Sequence, residues 1–353
     1  MQGLERLMGR GFLARSLGKI LNIACVVTLA SSMLAVNLVQ AQNHQAPKKT
    51  TQKKATPSQQ ANQNKPKKAV RTATTRKKAA EEVARPSFAS AMGLRGNQDD
   101  LNLKSSVALI VDRQTHEVLF EKNAHAVLPI ASITKLMTSL VVMDANLPLD
   151  EVITISQADV NAYPGRTRSR VTAGAKMTRE EALLLALMSS ENRTSHALAA
   201  NYPGGVSAFV EAMNTKAKAL GMSQSKFADP TGLSSENVSS PEDLTRLVEA
   251  SYQYKLVREF STRNDYRIMI GNREQVFVNT NRLVRANDME IGLQKTGYIS
   301  AAGRCLVMQA RVQNRDVVMV FLDSVGKLSR FADAVRVREW LESHPELEPV
   351  RRL

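Results

Sequence analysis

The sequence has 353 residues, a formal net charge of +15 and a pI near 9.9. The charge is concentrated at one end: residues 1–41 carry +3, and residues 42–80 carry +11 without a single acid, so residues 81–353 carry about +1. Because the remaining domain is nearly neutral, the basic composition does not indicate a nucleic-acid-binding surface, and we expect no nucleic-acid partner.

The first 41 residues have the pattern of a secretory signal peptide. A basic start is followed by the mostly apolar residues 20–41, which end in Val39-Gln40-Ala41, a small-residue cleavage pattern. An uncleaved membrane anchor is the alternative, because about 20 apolar residues can span a bilayer. Cys25 lacks the aliphatic residue three positions earlier that a lipid-anchored cysteine requires. We therefore expect export to the periplasm.

Residues 42–100 are expected to form a disordered basic linker. Residues 42–80 contain almost no large apolar side chains, so they cannot bury enough surface to offset chain entropy. Their positive charge is suited to anionic wall polymer or to a membrane surface, and a solvated spacer without a partner is the alternative. The catalytic domain is then expected over residues 101–345, followed by a tail, residues 346–353.

The domain begins with two apolar runs that predict a β-hairpin, and apolar residues at helical spacing follow. One predicted helix starts at Ser132, and another starts at Pro241 with Ser240 as its cap. Three more are predicted over residues 180–188, 206–220 and 331–341. Strands are predicted at residues 305–308 and 317–322, which makes Cys305 a buried strand residue. Strands at both ends with helices between them indicate an α+β fold with an antiparallel sheet.

Ser132-Ile133-Thr134-Lys135 places a hydroxyl and an amine one helical turn apart at the start of a buried helix. A lysine in that position can take the serine proton, and the free N–H groups of a helix N-terminus favour developing negative charge. The pattern is weak by itself, because Ser-x-x-Lys recurs at Ser16, Ser223 and Ser324. An ordinary N-cap serine is the structural alternative.

Ser190-Glu191-Asn192 offers a second hydroxyl, which can relay a proton, and an amide, which can bind substrate and the lysine. The same pattern recurs as Ser235-Glu236-Asn237. We favour the first copy, because it follows the apolar helix predicted over residues 180–188 and can be held rigidly near a core. The second copy lies in a serine-rich loop.

Lys295-Thr296-Gly297 occurs once. The cation and the hydroxyl are suited to a carboxylate or a carbonyl, and the glycine lets an extended peptide approach an edge strand. Alone, the triplet is better explained by a turn without function. Penicillin-binding proteins and class A β-lactamases contain these three motifs in the same order: the nucleophile with its lysine, then Ser-x-Asn, then Lys-Thr-Gly.

On these motifs, the sequence resembles the low-molecular-mass penicillin-binding proteins of the D-alanyl-D-alanine endopeptidase type. The resemblance runs from about Ser106 to Leu341 and includes the longer strings at residues 128–135, 183–193, 202–205, 229–234 and 294–297. It implies the β-lactamase/DD-peptidase-like fold, in which an antiparallel sheet flanked by helices (αβα) and an inserted helical subdomain enclose a cleft. It also implies peptidoglycan peptide stems as substrate and β-lactam antibiotics as covalent inhibitors.

The resemblance further implies a catalytic role for three side chains. Ser132 forms the acyl-enzyme, Lys135 is its base, and Ser190 passes the proton to the leaving amine. Lys135 must then be partly neutral, and we expect both burial and the charge of Lys295 to lower its pKa. No cofactor and no metal is expected, since the five histidines show no ligand spacing such as H-E-x-x-H.

Substrate binding is implied for a second set of residues. Asn192 positions the lysine and the substrate, and the substrate carboxylate and strand are held by Lys295, Thr296 and Gly297. The oxyanion hole consists of the backbone N–H groups of Ser132 and Tyr298.

Three other functions stay open. A D-alanyl-D-alanine carboxypeptidase uses the same chemistry, and the end of the chain soon after its last predicted helix favours the smaller endopeptidase pattern. A class A β-lactamase needs a deacylating glutamate, and the nearest candidate, Glu211, lies within a predicted helix. A catalytically silent wall-binding protein differs from all of these in that Ser132 would not react with a labelled penicillin.

Overall fold

The computed structural model describes residues 86–165 and 169–345. The predicted signal peptide, residues 42–85 of the predicted linker and the predicted tail, residues 346–353, lie outside the described residues. Within the two described ranges, no helix combines the length and the apolar character needed to cross a bilayer.

Strands and helices alternate in blocks along the described residues. The strands are β1 (Ser105–Asp112), β2 (Val118–Lys122), β3 (Leu128–Pro129), β4 (Val152–Thr154), β5 (Lys176–Thr178), β6 (Val238–Ser239), β7 (Asp265–Ile270), β8 (Arg273–Val278), β9 (Glu290–Ile299), β10 (Gly303–Val312) and β11 (Arg315–Ser324). The helices are α1 (Phe88–Ala91), α2 (Thr134–Asp144), α3 (Gln157–Asn161), α4 (Arg179–Met188), α5 (Asn192–Ala200), α6 (Gly205–Ala219), α7 (Pro241–Tyr252), α8 (Lys255–Thr262), α9 (Arg282–Ala286) and α10 (Ser329–Ser343). Two short 3-10 turns cover Leu94–Gly96 and Ala131–Ile133.

The central sheet has five antiparallel strands in the order β2-β1-β11-β10-β9. Its middle strands β1, β11 and β10 are buried at most positions because both faces are covered. One face packs into the core of the helical block, and the other packs against α10 through Phe331, Val337 and Leu341. The predicted α+β class is therefore confirmed, with strands from both ends of the domain in one sheet and β9 at its edge.

The helical block between β2 and β9 is centred on α4. Thr178 caps this helix in a capping box with Glu181, and eight of its ten residues are buried. The prediction of a central helix over residues 180–188 is confirmed. Because α4 is packed on nearly all sides, the residues that follow it have little freedom to move.

Two elements of this block have no clear sequence pattern. The helix α5 begins with Asn-Arg-Thr-Ser-His, a polar run that does not suggest a helix, although Glu191 caps it by accepting a hydrogen bond from Arg193 N at 3.2 Å. The hairpin of β7 and β8 has exposed residues on both strands. Tertiary packing rather than local propensity decides both elements.

The packed domain begins earlier than the sequence indicates. Phe88 N donates a hydrogen bond to Ala301 O at 3.0 Å, Ala89 is buried, and Arg95 forms an ion pair with Asp323 at 2.7 Å. The assignment of residues 86–100 to a disordered linker is therefore wrong. The error has a physical reason, because these isolated contacts leave no periodic apolar pattern in the sequence.

Candidate active site

Ser132 and Lys135 meet at the start of α2. Ser132 lies in the Ala131–Ile133 turn that leads into the helix, and Lys135 lies in the first turn of the helix itself. Lys135 Nζ is 3.2 Å from Ser132 Oγ, and the lysine side chain is completely buried. The spacing along one helix thus brings the amine within reach of the hydroxyl, as predicted.

Two further acceptors surround the amine of Lys135. Its Nζ donates to the Thr231 carbonyl oxygen at 2.6 Å and to Asn192 Oδ1 at 2.7 Å. Burial lowers the pKa of Lys135 to about 7, although the carboxylates of Asp229 and Glu191 act in the opposite direction. A neutral amine has two hydrogens, so these two acceptors leave its lone pair for Ser132 Oγ.

Lys295 also has a lowered pKa, and its causes correct one expectation. Burial is the largest cause, and the positive charges of Lys135 and Arg330 follow. Lys135, by contrast, owes its lowered pKa to burial, and Lys295 is not among the causes. The charge effect therefore acts from Lys135 on Lys295, where the positive charge of Lys135 adds to burial in lowering the pKa.

A loop built around Asp229 holds the Thr231 carbonyl in place. Asp229 Oδ1 accepts from Thr231 N at 2.6 Å and from Gly232 N at 2.8 Å. Asn237 is fully buried beneath the loop, where it donates to Asp229 O at 2.9 Å and to Thr134 Oγ1 at 3.0 Å. The second Ser-x-Asn copy thus contributes a structural asparagine, which ties this loop to α2.

Gly232 lies directly against the backbone of the Ala131–Ile133 turn, which contains Ser132. It has φ of +82°, and a Cβ added there would lie 1.9 Å from Ala131 O and 2.8 Å from Ser132 N. Glycine is required at this position both by the left-handed conformation and by the close approach. The sequence analysis identified neither this contact nor the Thr231 carbonyl, because backbone contacts have no side-chain signature.

Ser190 and Lys295 face each other at a second point of the site. Lys295 Nζ lies 2.9 Å from Ser190 Oγ, and Ser190 has φ of +59°, a left-handed conformation rare for a non-glycine residue. Ala131, directly before Ser132, shares this feature with φ of +49°. Such strained residues cluster at functional sites, where the surrounding packing enforces the geometry.

The edge strand β9 forms one wall of a cleft of about 690 Å³. Gly297 lies close to the turn that contains Ser132. A Cβ added to Gly297 would be 2.9 Å from Ile130 O and 3.2 Å from Ser132 N. Tyr298 follows on β9 with its side chain half exposed. The cleft is lined by the candidate residues Ser132, Ser190, Asn192, Thr296, Gly297 and Tyr298. The structure therefore brings all three motifs together.

The competing candidates lie elsewhere. Neither Ser223 nor Ser324, the serines of the other described Ser-x-x-Lys patterns, lines the cleft, and the pattern at Ser16 lies outside the described residues. Cys305 is fully buried in β10, as predicted, and burial raises the pKa of its thiol to about 12. His196 pairs with Asp159 at 2.6 Å, away from the cleft residues.

An edge strand facing a serine and a buried lysine on one helix defines a class of protein, the serine acyl-transfer enzymes of the DD-peptidase fold. The sequence model of the D-alanyl-D-alanine carboxypeptidase family matches residues 94–326. The chain belongs to this family of serine peptidases.

Individual relatives agree with this assignment. The chain is 48% identical over 243 residues to a D-alanyl-D-alanine endopeptidase of Pseudomonas aeruginosa and 46% identical to one of Escherichia coli, covering 68% of this chain and 78% of either relative. Among solved structures, a Streptomyces DD-transpeptidase has a TM-score of 0.63 at 26% identity, with 67% of this chain and 97% of that chain covered.

Proposed function

We propose that this chain is a serine D-alanyl-D-alanine endopeptidase that cleaves the peptide cross-links of peptidoglycan. The proposal depends on the position of Lys135 Nζ. This atom lies 3.2 Å from Ser132 Oγ, and both hydrogens of the neutral amine are donated to Asn192 Oδ1 and Thr231 O. The relatives named endopeptidase are 46–48% identical to this chain, whereas a D-alanyl-D-alanine carboxypeptidase of Bacillus subtilis is 30% identical. This difference in identity supports the endopeptidase activity.

Acylation begins at Ser132. The hydroxyl oxygen attacks the carbonyl carbon of the D-alanine that forms the cross-link, and the hydroxyl proton passes to the neutral amine of Lys135. The backbone N–H groups of Ser132 and Tyr298 stabilise the oxyanion. When the tetrahedral intermediate collapses, the C–N bond breaks and the proton reaches the leaving amine through Ser190 Oγ. Water then attacks the ester, which releases the acyl-donor stem with a free carboxylate and regenerates the hydroxyl.

Substrate binding follows from the strand geometry. A peptide extended along β9 pairs with this edge strand, and Gly297 permits its close approach to Ser132. Thr296 Oγ1 and Lys295 Nζ bind the carboxylate beside the scissile bond. That carboxylate raises the pKa of Lys295 again, because an anion within contact distance favours the ammonium form.

A β-lactam imitates this substrate and acylates the same hydroxyl. The β-lactamase alternative requires a glutamate placed for deacylation, and Glu211 lies on the exposed side of α6, outside the cleft lining. We therefore favour a slowly deacylating peptidase. The proposed substrate lies outside the cytoplasm, so export through residues 1–41 and contact of the basic segment with wall polymer or membrane belong to the same proposal.

The function is tested with a labelled penicillin and with purified muropeptides. We expect the penicillin to attach covalently at Ser132 and not to a Ser132→Ala variant. We expect cross-linked dimers to fall to monomers. Loss of one alanine from monomeric pentapeptides with dimers left intact would instead establish a carboxypeptidase, and absence of any covalent adduct would refute the enzyme assignment.

A further inference from the structure

A second pocket, of about 500 Å³, opens next to the catalytic cleft. No acidic side chain lines it, and five cationic ones do: Arg282, Arg285, Arg304, Lys327 and Arg330. Within residues 86–165 and 169–345, none of the five forms an ion pair with a carboxylate. We refer to these five residues as the basic pocket. Such a concave surface of one charge attracts anions.

The most deeply placed cation of the basic pocket, Arg330, is 7% exposed. Its Nη1 donates to Lys327 O at 3.0 Å, while its Nε is buried without a hydrogen-bond partner among the described residues. Burial and the charge of Arg304 lower the pKa of Arg330 to about 10. A buried guanidinium with a free donor and no counter-charge is costly, and a bound anion would remove that cost.

The basic pocket joins the cleft on one defined side. Arg330 and Thr280 line both cavities, and Thr280 Oγ1 accepts a hydrogen bond from Thr296 Oγ1 at 2.7 Å. The positive charge of Arg330 also acts on Lys295. The basic pocket therefore adjoins the point where the proposed mechanism places the carboxylate of the leaving residue, and Ser132 is not part of its lining.

We propose that the basic pocket binds the further carboxylates of the leaving peptide stem and so makes cross-linked dimers the preferred substrate. This inference rests on the proposed function. A carboxypeptidase releases a single D-alanine, whose one carboxylate reaches no farther than Lys295 and Thr296. An endopeptidase releases a whole stem, which continues beyond the scissile bond and carries additional acidic groups. The five cations of the basic pocket, which form no ion pair with a carboxylate within the described part of the chain, match that second case in charge.

The test measures binding rather than cleavage, with the whole chain carrying Ser132→Ala so that no turnover occurs. The probes are a cross-linked muropeptide dimer with free carboxylates in the leaving stem and the same dimer with those carboxylates amidated. The Arg282→Gln/Lys327→Gln variant removes two exposed cations of the basic pocket. The Lys176→Gln/Lys218→Gln variant makes the same charge change at exposed positions outside both cavities.

We expect the Arg282→Gln/Lys327→Gln pair to weaken binding of the free-acid dimer about fivefold, with a smaller dependence on salt, since exposed charge contacts are modest and screened. The amidated dimer should bind weakly to every variant, and the Lys176→Gln/Lys218→Gln control should match the parent. Equal affinity of the pocket variant and the control, or equal affinity for the two dimers, would overturn the inference. Cleavage of the free-acid dimer by the native chain is measured separately, and its absence would refute the endopeptidase proposal without deciding the binding result.

Discussion

The carbonyl oxygen of Thr231 and the amine of Lys135 are 2.6 Å apart, although 96 residues separate them in the chain. This contact, together with that to Asn192 Oδ1, uses the two hydrogens of a neutral amine and directs its lone pair toward Ser132. The reactivity of the hydroxyl therefore depends on the loop from Asp229 to Ser234 as much as on the helix that carries the lysine.

Acylation should depend on pH through Lys135. Burial lowers the pKa of this lysine to about 7, and the base must be neutral to accept the serine proton. The acylation rate should therefore rise as the pH rises through about 7 and reach a plateau above it. At pH 5 it should be about 100-fold below the plateau, because two pH units below the pKa only about 1% of the amine is neutral. Stopped-flow measurement with a fluorescent penicillin gives the profile.

Thermal unfolding at each pH serves as the control for the pH profile. A melting temperature that stays constant while the acylation rate falls would assign the fall to the lysine. A rate that stays flat between pH 5 and pH 9 would contradict the assignment of Lys135 as base.

Gly232→Ala should disable the enzyme by displacing the backbone of the turn that contains Ser132. The new Cβ would lie 1.9 Å from Ala131 O, so this turn or the Asp229 loop must move. We expect acylation to fall by about 100-fold or more, because a displacement of about 1 Å at the reacting atoms costs that much. Gly174→Ala is a matched control, since Gly174 has φ of +81° and no atom of the described residues lies within 4 Å of its Cβ position.

Both alanine variants should lose about 1–2 kcal/mol of stability from the left-handed conformation, and Gly232→Ala should lose more through its contact. Equal acylation rates of the two variants would show that the close approach to Ala131 does not matter for the reaction.

The two Ser-x-Asn copies should respond differently to truncation. Asn192→Ala removes an acceptor from Lys135 and should slow acylation about 100-fold with little change in stability. Asn237→Ala removes a fully buried amide that joins Thr134 to the Asp229 loop, and it should lower the free energy of unfolding by about 3 kcal/mol. Urea unfolding and penicillin acylation of both variants give the comparison. A larger stability loss for Asn192→Ala than for Asn237→Ala would reverse the roles that the structure gives to the two copies.

The sequence predicts the side chains of this site well and its backbone poorly. Ser132, Lys135, Ser190, Asn192 and the Lys295 triplet belong to patterns whose spacing reflects one helix, one helix end and one edge strand. The Thr231 carbonyl belongs to no pattern, because any residue offers a carbonyl and only the loop conformation decides where it points. Asn237 is hidden for a related reason, since its motif matches a catalytic one while its burial makes it structural.

Most of the central sheet could likewise be predicted, because β1, β10 and β11 contain continuous apolar runs at both ends of the domain. The packing of the segment before β1 could not be predicted. Its attachment depends on Ala89, the Arg95–Asp323 ion pair and the hydrogen bond from Phe88 to Ala301, and such single contacts leave no periodicity to read.

That attachment leads to a final prediction, for chains shortened at the N-terminus. A chain that begins at residue 101 loses Arg95, and the carboxylate of Asp323, otherwise 1% exposed, then keeps the hydrogen bond that Ser106 Oγ donates at 2.7 Å. We expect its free energy of unfolding to be about 2 kcal/mol lower than that of a chain beginning at residue 86, from the lost hydrogen bonds and the lost burial of Ala89. The acylation rate should fall as well, because Ala301, which accepts from Phe88 N, lines the catalytic cleft. Equal melting temperatures and equal acylation rates of the two chains would mean that residues 86–100 contribute nothing to the domain, as a linker would.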